Sequence, residues 1–428
     1  MFKQEKISFI LTAALGAFGA YFCMYAYRKP FTVATFDELS YFGVDYKILL
    51  IIAQILGYTL SKFLGIKIIS EMKASKRIKY LIGFVLFAEV ALLGFALIPK
   101  PYNILCLFLN GLPLGMIWGI VFSYIEGRKV TEILGVILCS SFIVSSGVVK
   151  SIGKYLIDVF NVSEFWMPFA TGAIFLFPLV FFAFLLEKLP QPTDEDKLIK
   201  SIREPLDRKA RISLFKSMLM PLTLIIFFYM VLTAVRDFRD NFARELWDSL
   251  GFQDSIAIYS FSELPITILV LIILGIIGSI KRNYKAFILY HLILIIGSIS
   301  IFVATSLFQY QLIGPVSWMI ITGFSLYICY VPFNGLFFDR MIATYKIKGN
   351  VGFLIYIADA FGYLGSILIL FYKNFGNANL SWLEFYIYLI YLLAIIGFVV
   401  SILSYGFFKK KKKKELFHLS NSKQIIVN

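Results

Sequence analysis

Apolar runs long enough to cross a bilayer as helices, about 20 residues each, recur twelve times in this chain. They fall at 7–36, 46–66, 79–98, 102–123, 132–156, 165–186, 219–241, 256–280, 286–306, 312–336, 350–373 and 381–407. Composition agrees, since 59% of the residues are hydrophobic and 16% are charged, where soluble domains carry nearer one quarter charged. The mean hydropathy is +0.81. An aromatic share of 18% suits interface belts and a tightly packed bundle. The expected fold is an all-α membrane protein with twelve transmembrane helices in two six-helix bundles around a central cavity.

The net charge of +15 would point to nucleic acid in a soluble chain. Here the basic residues fall in every second loop: 67–79, Arg128-Lys129, 188–216, 281–285, 340–348 and the lysine run 409–414. Short cytoplasmic loops are basic, so both termini are expected in the cytoplasm, in a bacterial-type inner membrane, with no nucleic-acid partner. The run 409–414 reads as an anchor to anionic headgroups, worth about 1 kcal/mol per residue near the surface, with a short disordered tail beyond it. The first apolar run exceeds signal-peptide length and has no small-residue cleavage site before Arg28-Lys29, so it is a retained span. Cys23, Cys106, Cys139 and Cys329 lie inside apolar runs without metal-ligand spacing and read as core residues.

The longest polar stretch between spans follows the sixth run and contains Pro190, Pro192 and Asp194-Glu195-Asp196-Lys197. It divides the chain into an N-terminal bundle over 1–186, a linker over 187–218, a C-terminal bundle over 219–408 and a basic tail over 409–428. The halves echo one another: 17 residues separate Gly111 from Arg128 and also Gly323 from Arg340, the two pairs are offset by 212, and Arg28 and Arg236 are offset by 208. Such spacing is expected of two parallel halves related by an axis along the membrane normal.

Four stretches, in order, carry a resemblance. Tyr27-Arg28-Lys29-Pro30-Phe31 in span 1, Gly57-Tyr58-Thr59-Leu60-Ser61-Lys62-Phe63 in span 2, Tyr259-Ser260-Phe261-Ser262-Glu263 in span 8 and Phe361-Gly362-Tyr363-Leu364-Gly365-Ser366 in span 11 resemble the organophosphate:phosphate antiporters of the major facilitator superfamily, the glycerol-3-phosphate transporter type. The resemblance implies the major facilitator fold and an alternating-access carrier in which one arginine from helix 1 and one from helix 7 clamp phosphate between the bundles. Arg28 matches the first. Arg236, followed by Asp237 and then Asn241-Phe242-Ala243, matches the second. Two departures set this chain apart: the family's fifth-helix histidine falls on Val144, and its loop signature between helices 2 and 3 is reduced to Gly65, Glu71 and Lys76-Arg77.

A guanidinium suits a dry anion site because its planar fork of donors matches carboxylate and phosphate oxygens and is weakly hydrated. The expected substrate contacts are therefore Arg28, Lys29 and Arg236, with Tyr25, Tyr58, Trp118 and Asn334 as polar or amphipathic neighbours on the cavity helices. Gln54, Asn110 and Tyr330 are secondary contacts of the same kind. Acids deep in spans are costly without a basic partner. Glu263 and Asp359 are the expected counter-charges or coupling acids together with Asp237, with Glu263 pairing Arg236, whereas Glu89 reads as structural. Lys150 and Lys154, four residues apart, read as anchors at the end of helix 5.

The function expected is secondary transport of a small phosphorylated or carboxylated organic anion by a monomer without cofactor or metal. The alternatives are a proton-coupled carrier of a neutral or cationic solute that uses Glu263 or Asp359, and a transporter-like membrane sensor without flux. The sequence has no metal-ligand cluster, nucleotide loop or plausible catalytic triad, and no extramembrane stretch large enough to house an enzyme.

Overall fold

A computed structural model of the chain describes residues 2–70, 72–128, 130–191, 218–345, 351–376 and 380–427. Twelve helices among these residues are long and apolar enough to cross a membrane, so the chain is a multi-pass integral membrane protein. The first six are α1 Phe2–Met24, α2 Tyr46–Ser70, α3 Arg77–Leu97, α4 Ile104–Ile125, α5 Thr131–Asp158 and α6 Met167–Glu187. The second six are α7 Leu219–Asn241, α9 Ile258–Gly278, α10 Asn283–Gln309, α11 Pro315–Tyr330, α13 Val351–Phe371 and α14 Trp382–Val427, with the short α8 Ala243–Ser249 and α12 Leu336–Tyr345 between them. Most of the linker 187–218, including the acidic string 194–197, lies outside the described residues.

Two spans end differently from the expectation of one continuous helix each. The first α-helix stops at Met24 and continues as tighter turns over Tyr25–Tyr27 and Pro30–Val33. Pro30 has no N–H to donate, and its ring opposes the carbonyl four residues back. Pro332 has the same effect in the tenth span, where α11 stops at Tyr330 and a 3-10 turn follows over Val331–Asn334. Beyond α1, a two-stranded hairpin pairs Tyr41 with Val44. Its loop residues Phe42 and Gly43 have φ of 57° and 73°, the positive values that a two-residue type I′ turn demands.

The tail departs most from expectation, because α14 runs unbroken to Val427. Beyond Gly406 the sequence contains neither glycine nor proline and carries six consecutive lysines over 409–414, so nothing interrupts a helix already nucleated in the membrane.

Within the N-terminal bundle α2 packs along α4, and within the C-terminal bundle α7 packs along α13. The bundles meet where α5 lies against α9 and α2 against α13. Small residues permit the closest approaches. A Cβ on Gly111 would strike the Gln54 carbonyl, and one on Gly147 would strike the Tyr259 carbonyl of the opposite bundle, as expected where membrane helices associate through backbone proximity.

Candidate functional site

The break in α1 frees backbone carbonyls that a continuous helix would have used. Asn110 Nδ2 on α4 donates to the Tyr27 carbonyl at 3.0 Å and to the Ala88 carbonyl at 3.1 Å. Gln54 Nε2 on α2 donates to the Arg28 carbonyl at 3.0 Å and to Asn110 Oδ1 at 2.8 Å. These two side chains were expected as secondary substrate contacts. The structure makes them struts instead, fixing the backbone that carries Arg28. Asn110→Leu is accordingly expected to lower the melting temperature of the detergent-solubilised protein, since each buried carbonyl left unpaired costs about 1–3 kcal/mol. An unchanged melting curve would show that the freed carbonyls are held by something else.

The Arg28 guanidinium lies 3.9 Å from the centroid of the Tyr58 ring and 5.9 Å from that of Tyr363. It is 3% exposed, its Nε has no hydrogen-bond partner, and among the described residues no carboxylate pairs with it. Arg236, on α7, is 7% exposed. Its Nη2 donates to Asp237 Oδ1 at 2.6 Å, and its guanidinium lies 4.3 Å from the Tyr330 centroid. Ser366 holds the other Asp237 oxygen at 2.7 Å. Both guanidiniums act electrostatically on Tyr25, Tyr363 and Asp237. Arg28 and Arg236 therefore approach one cluster of tyrosines at the interface between the bundles, where Tyr58 and Tyr363 are in ring contact at 4.8 Å.

A second path joins the two arginines around that cluster. Tyr330 stacks on Tyr229 with centroids 5.1 Å apart, and Tyr229 Oη donates its one proton to Asp359 Oδ1 at 2.6 Å while lying 3.0 Å from Tyr330 Oη. Asp359 pairs with Lys62 Nζ at 3.1 Å, which bridges α13 to α2, and Lys62 lies 5.4 Å from the Tyr58 centroid. Lys62, Tyr229 and Ser366 were not singled out from the sequence. Lys62 had a usable signal, a charge inside an apolar run; the tyrosine had none among 25.

Several expectations are corrected. Lys29 turns away from Arg28 to Asp240 at 2.5 Å and Asn241 Oδ1 at 2.7 Å. Glu263 pairs with Arg239 at 2.5 Å rather than with Arg236, because Arg239, one turn further along α7, is the residue that faces α9. Trp118 stacks on Phe122 at 4.9 Å and comes within 6.0 Å of Lys62, not of either central arginine. Asn334 sits in the turn after α11 and donates to the Tyr330 carbonyl at 3.4 Å. Lys150 is no simple anchor: it is buried and donates to the Asp240 carboxylate and carbonyl. Lys154 does behave locally, pairing with Asp158 at 3.1 Å. Glu89 is buried beside Gly172 of α6, and among the described residues neither carboxyl oxygen has a hydrogen-bond partner.

Ionic contacts cross the bundle interface on both sides of the tyrosine cluster. On the side of the α1 break, Asp240 receives Lys29, Lys150 and Ser146, Lys47 pairs with Glu245 at 2.5 Å, and Arg244 donates to the Val33 carbonyl at 2.9 Å. On the side of the termini, Arg340 of α12 pairs with Glu132 at the start of α5 at 2.6 Å. The bundles are thus bridged at both faces.

Solved structures share this architecture. A D-xylose-proton symporter matches with a TM-score of 0.61 at 15% identity, covering 93% of this chain and 97% of its own. A bacterial homologue of the human drug peptide transporters PepT1 and PepT2 matches with a TM-score of 0.64 at 13% identity, covering 95% and 99%. A nucleoside transporter, NupG, matches with a TM-score of 0.60 at 16% identity, covering 94% and 99%. The likeness establishes the major facilitator fold. No curated protein matches the sequence. One family model does, over residues 30–411, described as a family of unknown function, DUF5690.

Proposed function

This chain belongs to the DUF5690 family, and we propose that it is a secondary transporter that moves a small organic anion across the membrane by alternating access. The observation that carries the reading is the meeting of Arg28 and Arg236, one from each bundle, at a single cluster of tyrosines between the bundles, where both are almost wholly buried. Asp237 offsets Arg236 alone, so the two guanidiniums together leave one uncompensated positive charge in a low-dielectric interior, and a bound anion relieves it. Substrate then favours the closed arrangement of the bundles, and loss of the ion pairs at one face or the other releases it.

The structural neighbours named for xylose, peptide and nucleoside transport support a carrier but carry no anion preference to this chain. The acids on which a proton-coupled alternative would rely, Glu263 and Asp359, are each engaged by a cation, which weighs against that alternative. Exchange for inorganic phosphate is the coupling proposed, in an inner membrane with both termini cytoplasmic, by a monomer. Proteoliposomes preloaded with phosphate are expected to take up labelled organic phosphates or carboxylates and to lose that uptake in Arg236→Ala. Absence of both flux and binding for every anion tried would end the proposal.

A further inference from the structure

Arg28, Arg236 and Lys62 lie against the tyrosine cluster, and two of these cations are already matched. Asp237 lies 2.6 Å from Arg236 and Asp359 lies 3.1 Å from Lys62. Among the described residues Arg28 has no such partner: its neighbours are ring faces, and its Nε is buried without an acceptor. Cation–π contact offsets only part of the cost of taking a guanidinium out of water. One anionic group supplied by a ligand would complete it. The cluster at the α1 break is one charge positive, but its ammoniums are occupied, with Lys29 on Asp240 and Asn241 and Lys150 on Asp240. Arg239 is matched by Glu263.

Resting on the reading that the site binds organic anions, we propose that this protein selects singly charged anions and discriminates against dianionic phosphate monoesters. The head group of the solute, a carboxylate or a sulfate-type monoanion, sits at Arg28, and its ring or hydroxylated body lies against Tyr58, Tyr363 and Tyr25. A second negative charge would have to stand beside Asp237 with no free cation to meet it, or displace Asp237 from Arg236 and leave that carboxylate buried and unpaired. Either outcome is costly in a dry site.

Sulfate and phosphate monoesters are near-isosteric but differ in charge, which makes them a matched test on the full chain. Binding of phenyl sulfate, phenyl phosphate, a hexose 6-sulfate and a hexose 6-phosphate is measured by calorimetry at pH 7.5 and pH 5.5. A phosphate monoester loses its second proton with a pKa of about 6, so it is largely dianionic at the higher pH and largely monoanionic at the lower. The expected result is that the sulfates bind at least tenfold tighter than the phosphates at pH 7.5. Acidification to pH 5.5 is expected to tighten the phosphates roughly twentyfold, the change in their monoanion fraction, and to leave the sulfates within a few-fold. Asp237→Asn is expected to shift the preference at pH 7.5 toward the phosphates. Phosphates binding as tightly as sulfates or tighter at pH 7.5 would overturn the charge selection while leaving an anion site in place. Failure of all four compounds, together with benzoate and inorganic phosphate, to bind would remove the anion site itself and this inference with it.

Discussion

Arg28→Lys is expected to weaken anion binding by at least a hundredfold while the protein remains folded and monodisperse. The substitution keeps the charge but loses the planar fork and the flat contact with Tyr58, whose ring centroid lies 3.9 Å from the guanidinium. A hundredfold corresponds to about 2.7 kcal/mol, within the range found when one partner of a buried charged contact is removed. Arg236→Lys is expected to cost less, nearer tenfold, because that charge stays beside Asp237. Calorimetric titration of the two variants decides the matter. Near-normal binding by Arg28→Lys, with loss in Arg236→Lys, would transfer the principal anion contact to the second bundle.

The second large effect is expected at Asp240. This carboxylate is shared by Lys29 of the N-terminal bundle's first span and Lys150 of its fifth, while Asp240 itself belongs to the other bundle. Asp240→Asn leaves two buried ammoniums with neutral acceptors only, and breaking a buried pair in this way costs about 3–5 kcal/mol. Separation of the bundles at that face relieves the strain by admitting water. Ser260 and Ser151 meet across the same interface at 2.8 Å, so Ser260→Cys reports on it, and all four native cysteines are buried. Alkylation of Ser260→Cys by a polar reagent is expected to accelerate at least tenfold when Asp240→Asn is added. Equal rates would mean that other contacts keep the face closed.

The parts of this structure legible in the sequence are those that depend on neighbours along the chain. Apolar character over about 20 residues is a local property, and all twelve spans follow from it. The two arginines were legible for the same reason, as charges interrupting or ending apolar runs. Partner choice was not. Lys29 and Asn241 are 212 residues apart, and whether Arg236 or Arg239 reaches Glu263 depends on the rotation of α7 by one turn, which hydrophobicity does not fix. Proline chemistry accounts for another part: Pro30 and Pro332 end their helices early, and the resulting free carbonyls turned Gln54 and Asn110 from candidate ligands into backbone struts. The tail was misjudged because polarity was equated with disorder, although a lysine-rich segment without glycine or proline prolongs a helix readily.

Closure at both faces has a kinetic consequence for any solute that the two guanidiniums hold. Entry and departure must each wait for an ionic gate to part, so association will run far below the diffusion limit and saturate with concentration. The measured dissociation constant will exceed the intrinsic one by the reciprocal of the accessible population, about a hundredfold if the open form is 1% occupied. Loosening the Asp240 gate should therefore quicken capture even as it erodes stability.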